Sequence, residues 1–220
     1  MPHYQEKIDN ILTNAEKYHL AYHAAETFRG PSLYFHQRAL ESQHSPDFTQ
    51  HLEYIYATLA SWGMHRMGKG GSKMQSFETF KNTVVPLQSK VQEAQEFDCR
   101  AMTEINWLVL EHIFRSIKVM ASGTTLVGNS KVMAHLLPDI VPPIDREYTL
   151  FYLKGNKNIK NDPTYEWALM REIIEDFFIP VARDSRLTSL AEDWMSDRET
   201  YPWDTSILKI IDNLVIGSRK

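Results

Sequence analysis

The stretch Leu126-Val-Gly-Asn-Ser-Lys-Val-Met-Ala-His-Leu-Leu-Pro138, closed by Val141-Pro-Pro-Ile-Asp145, decides how this 220-residue chain is read. It orders a glycine-containing turn, a short apolar helix, a proline-stiffened segment and one carboxylate at the start of another helix. Helix amino ends carry unpaired N–H groups and the positive end of the helix dipole, so a turn placed there can hold a phosphate. Lys131 follows the turn and Asp145 follows the prolines, so one lysine and one aspartate are aimed at one place.

Outward from this segment the periodicity is helical. Ile8, Ile11, Leu12, Ala15, Tyr18, Tyr22 and Ala25 recur at helical spacing from Tyr4 to about Phe28, and Gly30-Pro31-Ser32 starts the next helix. Ser45-Pro46-Asp47 opens a third, with Leu52, Ile55, Tyr56, Leu59 and Trp62 as its buried stripe. His65 to Lys73 reads as a glycine-rich loop, and Ser76 as the N-cap of Phe77 to Val84. Thr103 to about Met120 is the most apolar segment and is expected near the centre of the domain, broken by Ser122-Gly-Thr-Thr125. Downstream, Pro163 opens a long helix to about Phe178 that Pro180 kinks or ends, and two further helices cover about Leu187–Ser196 and Thr205–Val215. No stretch alternates as a strand does. The expected class is all-α: residues 1–220 as a single multi-helix domain of about eight to ten helices, with two lobes left open and 122–153 as the candidate functional element.

Bulk composition bounds the function. The hydrophobic fraction of 43% and charged fraction of 24% are those of a globular protein. The one cysteine, Cys99, excludes a disulfide within the chain and any multi-cysteine metal site. No apolar run approaches the roughly 20 residues of a membrane span, so the expected location is the cytoplasm, with no membrane partner. The net charge of −4 argues against a general nucleic-acid glue. The charge is uneven, however. Arg66, Lys69, Lys73, Lys81 and Lys90 face only Glu78, the segment from Arg115 to Lys160 is also basic, and the tail after Asn161 is acidic. A basic face on an acidic body would attract phosphates locally.

Thr125 to Asp145 resembles the helix–hairpin–helix element of the base-excision DNA glycosylase superfamily, in which a hairpin of the form L-x-G-V-G-x-K precedes an apolar helix and a V-P-V-D segment. Here the hairpin reads Leu126-Val-Gly-Asn-Ser-Lys131 and the aspartate segment Val141-Pro-Pro-Ile-Asp145. Ser130 stands where the second hairpin glycine would be, and Lys131 comes one residue early. The resemblance implies an all-α fold and DNA as a possible partner. It implies DNA-backbone contact through Gly128, Asn129 and Ser130; apart from the resemblance, the basic loop that carries Arg66, Lys69 and Lys73 offers further phosphate contacts. Asp145 and Lys131 are the implied catalytic pair: Asp145 stabilises positive charge on the deoxyribose or activates a nucleophile, and Lys131 acts as a Schiff-base amine. No cofactor is implied, since the cysteine-ligated cluster of some relatives cannot form. The alternative is a helical scaffold or interaction protein in which Asp145 is only an N-cap, Lys131 a solvated lysine and Gly128 a helix-start turn.

Two other patterns carry less. Gly63-Met-His-Arg-Met-Gly68-Lys69-Gly70 matches the opening of a phosphate-binding loop but lacks the final Ser or Thr and follows a helix where a strand is required. His19 and His23 lie four apart with Glu26 nearby, a spacing that can ligate a metal; without an H-E-x-x-H pattern they read as surface residues, and no metal is assigned.

Overall fold

The computed structural model describes residues 4–27, 29–68 and 71–220, and of Met67 and Gly68 the backbone alone. The chain is all-α. Helices α1 (Gln5–Thr13), α2 (Ala15–Ala25), α3 (Pro31–Glu41) and α4 (Phe48–Ser61) lead to an antiparallel pair, β1 (Met67–Gly68) and β2 (Gly71–Ser72). Helices α5 (Phe77–Val84), α6 (Gln88–Gln95), α7 (Glu104–Ser116) and α8 (Leu126–Leu136) follow. The rest is α9 (Phe151–Lys154), α10 (Pro163–Ile173), α11 (Ile179–Arg183), α12 (Ser185–Ser196) and α13 (Ile207–Gly217). Among the described residues no helix is long and apolar enough to cross a membrane.

Local chemistry sets several boundaries where expected. Asp47 accepts from the Gln50 N–H at the start of α4, and Ser76 from the Thr79 N–H at the start of α5. Elsewhere the structure corrects the periodicity. Tyr4 to Ala25 is two helices broken at Asn14, not one; the expected end at Phe28 lies outside the described residues. The helix from Pro163 runs on to Arg183. Residues Ile174–Phe178 form a π turn in which the Ile179 N–H bonds the Ile174 carbonyl. That extra residue lets the rod absorb Pro180, which has no N–H to give and would otherwise break it.

The centre of the core also moves. Helix α7 ends at Ser116, because Val119 and Ala121 pair with the segment after β2: Gln75 N–H to the Val119 carbonyl at 2.9 Å and Ala121 N–H to the Lys73 carbonyl at 2.8 Å. Ile105 and Leu108 of α7 are exposed, so that helix is half solvated rather than central. The enclosed helices are α8 and α13, where Leu126, Val132, Met133, Leu136, Ile210, Ile211, Leu214 and Val215 are fully buried in one continuous core. Helix α13 packs tightly on α2 at Gly217, where a Cβ would stand 2.0 Å from the Tyr18 carbonyl oxygen. Only glycine allows that approach, and it fixes α13 as one wall of the site.

Candidate functional site

The segment from Leu126 to Lys131 is helix, not hairpin. Gly128 lies inside α8, and the turn that opens the helix is at Gly123, whose φ is +76°. Gly128 is there for packing: a Cβ would stand 2.7 Å from Met120 and 2.9 Å from Val119. The N–H groups of Thr125 and Leu126 both donate to Glu166 Oε2 at 2.6 Å. Glu166 is buried, so the anion at the amino end of α8 is a side chain of α10. Of the backbone expected to meet a phosphate, the Asn129 N–H is already bonded to the Thr125 carbonyl at 2.8 Å and Ser130 lies further along α8, whereas Gly128 belongs to the first turn, beside the end that Glu166 occupies.

Asn129 and Ser130 are buried and have other work. The Asn129 amide donates to the carbonyls of Phe114 at 2.8 Å and Ile117 at 3.2 Å, closing the carboxyl end of α7. The Ser130 hydroxyl accepts the Ile144 N–H at 3.1 Å. That bond pins the Pro142-Pro143-Ile144 segment against α8 and so places Asp145 one residue further on.

Asp145 does two things with two oxygens. Oδ1 accepts the N–H groups of Glu147 and Tyr148, capping the π turn Arg146–Leu150, and the Thr149 hydroxyl accepts the Asp145 N–H in return. Oδ2 accepts from Lys131 Nζ at 3.3 Å. The Asp145 side chain is 28% exposed and that of Lys131 13%, so the pair is reachable from outside. Lys131 Nζ also stands 5.3 Å from the centre of the Trp62 ring, in cation–π range.

Two cavities meet at this pair. One, of about 200 Å³, has aromatic walls from Tyr22, Trp62, Tyr148 and Trp203, with Lys209 and Asp212 at its floor. Lys209 Nζ donates to Asp212 Oδ2 at 2.8 Å and to Asn213 Oδ1 at 2.6 Å. Burial pushes the Asp212 carboxyl up, and Lys209 pulls against it. The other is an open cleft of about 650 Å³ lined by Arg66, Lys73, Gly128, Lys131, Asp145, Arg146 and Glu147, among others. It carries four cations against two carboxylates. Arg66 and Lys73 form no ion pair among the described residues, whereas Arg146 is held by Thr124 and the Lys157 carbonyl. Trp62, Lys131 and Asp145 border both spaces.

Of the residues singled out in sequence, the structure thus brings Arg66, Lys73, Lys131 and Asp145 together. Lys154 is elsewhere, paired with Glu172, and Lys69 lies outside the described residues. Sequence reasoning missed Trp62, Trp203, Lys209 and Asp212 as pocket residues. Lys209 and Asp212 at i, i+3 on a largely apolar helix was the available signal, since a buried charge demands a partner.

Behind Lys131 lies a buried histidine relay. The Lys131 carbonyl accepts from His135 Nδ1 at 2.7 Å, so His135 Nε2 is the acceptor for His36 Nδ1 at 2.9 Å. Burial pushes His135 down to about 4 and His36 well below its ordinary range, so both stay neutral. No protein-family model matches this sequence, and no curated protein or solved structure does.

Proposed function

We propose that this chain is a DNA-contacting helical protein that draws one base from the duplex into the aromatic pocket, in the manner of a base-excision glycosylase or abasic-site lyase. One observation carries the reading: the Lys131–Asp145 pair lines both an aromatic-walled pocket of about 200 Å³ and a basic cleft. The cleft offers Arg66 and Lys73 to a sugar–phosphate backbone, and the pocket offers ring faces to a base that has left the stack. The loop between α7 and α8, followed by a proline segment and an aspartate, keeps the order of the helix–hairpin–helix resemblance, although its turn lies at Gly123.

In this reading the roles follow from position. Asp145 Oδ2 faces the deoxyribose and stabilises the positive charge that builds on C1′ as the base departs with the bonding electrons. Lys131 is the amine. It gives a proton to Asp145, the acceptor already within 3.3 Å, and its lone pair forms the C–N bond to C1′ of an abasic site. Loss of water from that adduct leaves the Schiff base.

Borohydride trapping tests the chemistry. The full chain is expected to become covalently attached to abasic-site duplex DNA, and Lys131→Ala is expected to escape. Trapping that survives Lys131→Ala removes this lysine from the mechanism. The cap made by Asp145 Oδ1 favours a second reading, a scaffold without catalysis. Equal DNA affinity for intact and abasic duplex, with no trapping, would support that reading.

A further inference from the structure

His19 and His23 are one helical turn apart on α2, so their rings lie on one face. Neither is a surface residue: His19 is buried and the His23 side chain is 12% exposed. The loop between α12 and α13 brings Asp204 against that face. Asp204 Oδ2 lies 2.7 Å from His19 Nε2 and 3.1 Å from His23 Nε2, and the three atoms all fall within 4.8 Å of one another. Glu26, the residue next to the pair in sequence, is not part of the group.

Three features set this cluster apart from an ordinary histidine–carboxylate contact. The carboxylate is completely buried, yet its ion-pair partners among the described residues are histidines alone, with no lysine or arginine. Its other oxygen, Oδ1, is fixed by the Asn213 amide at 2.7 Å, so Oδ2 is held toward the two imidazoles. The rings themselves are locked: His19 stacks on Trp194 at 3.8 Å, and Tyr201 packs on both histidines. Two imidazoles and one oriented carboxylate, with an outer hydrogen bond steadying the carboxylate, make a donor set for a divalent ion. Ligand atoms roughly 2.0–2.1 Å from one tetrahedral ion sit about 3.3–3.4 Å from each other, so the contacts of 2.7 and 3.1 Å must each open by less than about 1 Å to admit it.

We propose that His19, His23 and Asp204 bind one divalent transition-metal ion of the zinc class. On binding, each imidazole stays neutral with its proton on Nδ1, so that its Nε2 lone pair is free, and the ion takes the two Nε2 lone pairs and Oδ2. The ion supplies the positive charge that this buried carboxylate otherwise draws only from hydrogen bonds. Water completes the coordination on the His23 side, where the cluster meets solvent. Asn213 links this centre to Lys209 on the pocket floor, so the ion also braces the wall formed by α13.

The full chain, stripped with chelator, is titrated calorimetrically with Zn²⁺ and, separately, with Co²⁺ while visible absorption is followed. Uptake of one ion per chain is expected, with cobalt ligand-field bands. His23→Ala, the most exposed of the three, is expected to keep the helical circular dichroism of the wild type, bind at least about 100-fold more weakly and lose those bands. No stoichiometric uptake at micromolar metal would overturn the proposal. So would equal uptake by His23→Ala, which would place the ion on other histidines.

Discussion

Two aspartates frame the same wall of this molecule and are treated in opposite ways. Asp145 stands at the rim, partly exposed, with one oxygen spent on capping a helical turn and the other on Lys131. Asp204 is sealed inside, caps nothing, and is held by two histidines and an asparagine. Burial alone would raise the Asp204 carboxyl, yet the bonds from His19 and His23 outweigh it and hold the group at about 2. A carboxylate at a rim can exchange its partner for a ligand at little structural cost. A sealed one is tied to the stability of everything packed around it. The same contrast separates the exposed cations Arg66 and Lys73 from the buried Lys209.

The sharpest test of this contrast is at the rim. Asparagine caps a helix about as well as aspartate, so Asp145→Asn is expected to retain the fold to within about 0.5 kcal/mol while DNA-processing turnover falls by about 100-fold or more. Equal loss of helical circular dichroism would make Asp145 structural and erase the distinction. The reverse is expected on the floor. Lys209→Met leaves Asp212 buried without its cation and should cost about 3–5 kcal/mol in a denaturant titration. A loss below about 1 kcal/mol would show that the floor is not sealed.

The interior histidines give the pH version. His36, His51 and His135 are held below their unfolded value near 6.5 by burial, His51 and His135 to about 4. The unfolded chain therefore binds more protons between roughly pH 4 and 6.5. Stability is fully present above about pH 6.5 and is lost as the pH falls below it, by up to about 1.4 kcal/mol per pH unit for each such histidine. A flat stability profile from pH 7 to 5 would contradict their buried, neutral state. The smallest effect belongs to the cleft. Arg66→Ala and Lys73→Ala should leave stability within about 0.5 kcal/mol, and each should lower the slope of log affinity against log salt by about 0.9.

The helical class was legible because apolar spacing over long segments is a local property, and Asp47, Ser76 and Asp145 announced helix starts through their own side chains. The Leu126–Lys131 hairpin was misread for a non-local reason. Gly128 satisfies the pattern of a turn, but its glycine serves a close approach to Val119 and Met120, and the helix end is filled by Glu166 from 40 residues away. The early end of α7 depends equally on a partner beyond β2 that no window contains. At the site, Arg66, Lys73, Lys131 and Asp145 were named from their types and neighbours. Trp62 and Trp203 were not, since two aromatics far apart in the chain reveal a shared pocket only after α4 and α13 have packed. Asp204 stayed hidden for the same reason, and without it His19 and His23 looked like surface residues.

The central claim is that the Lys131–Asp145 junction joins a base pocket to a DNA cleft. It is tested most directly by measuring affinity for a short duplex, intact and abasic, across a salt series. The account predicts affinity that falls steeply with salt and is higher for the abasic duplex, with that preference lost in Asp145→Asn. Absence of binding at low salt would contradict it.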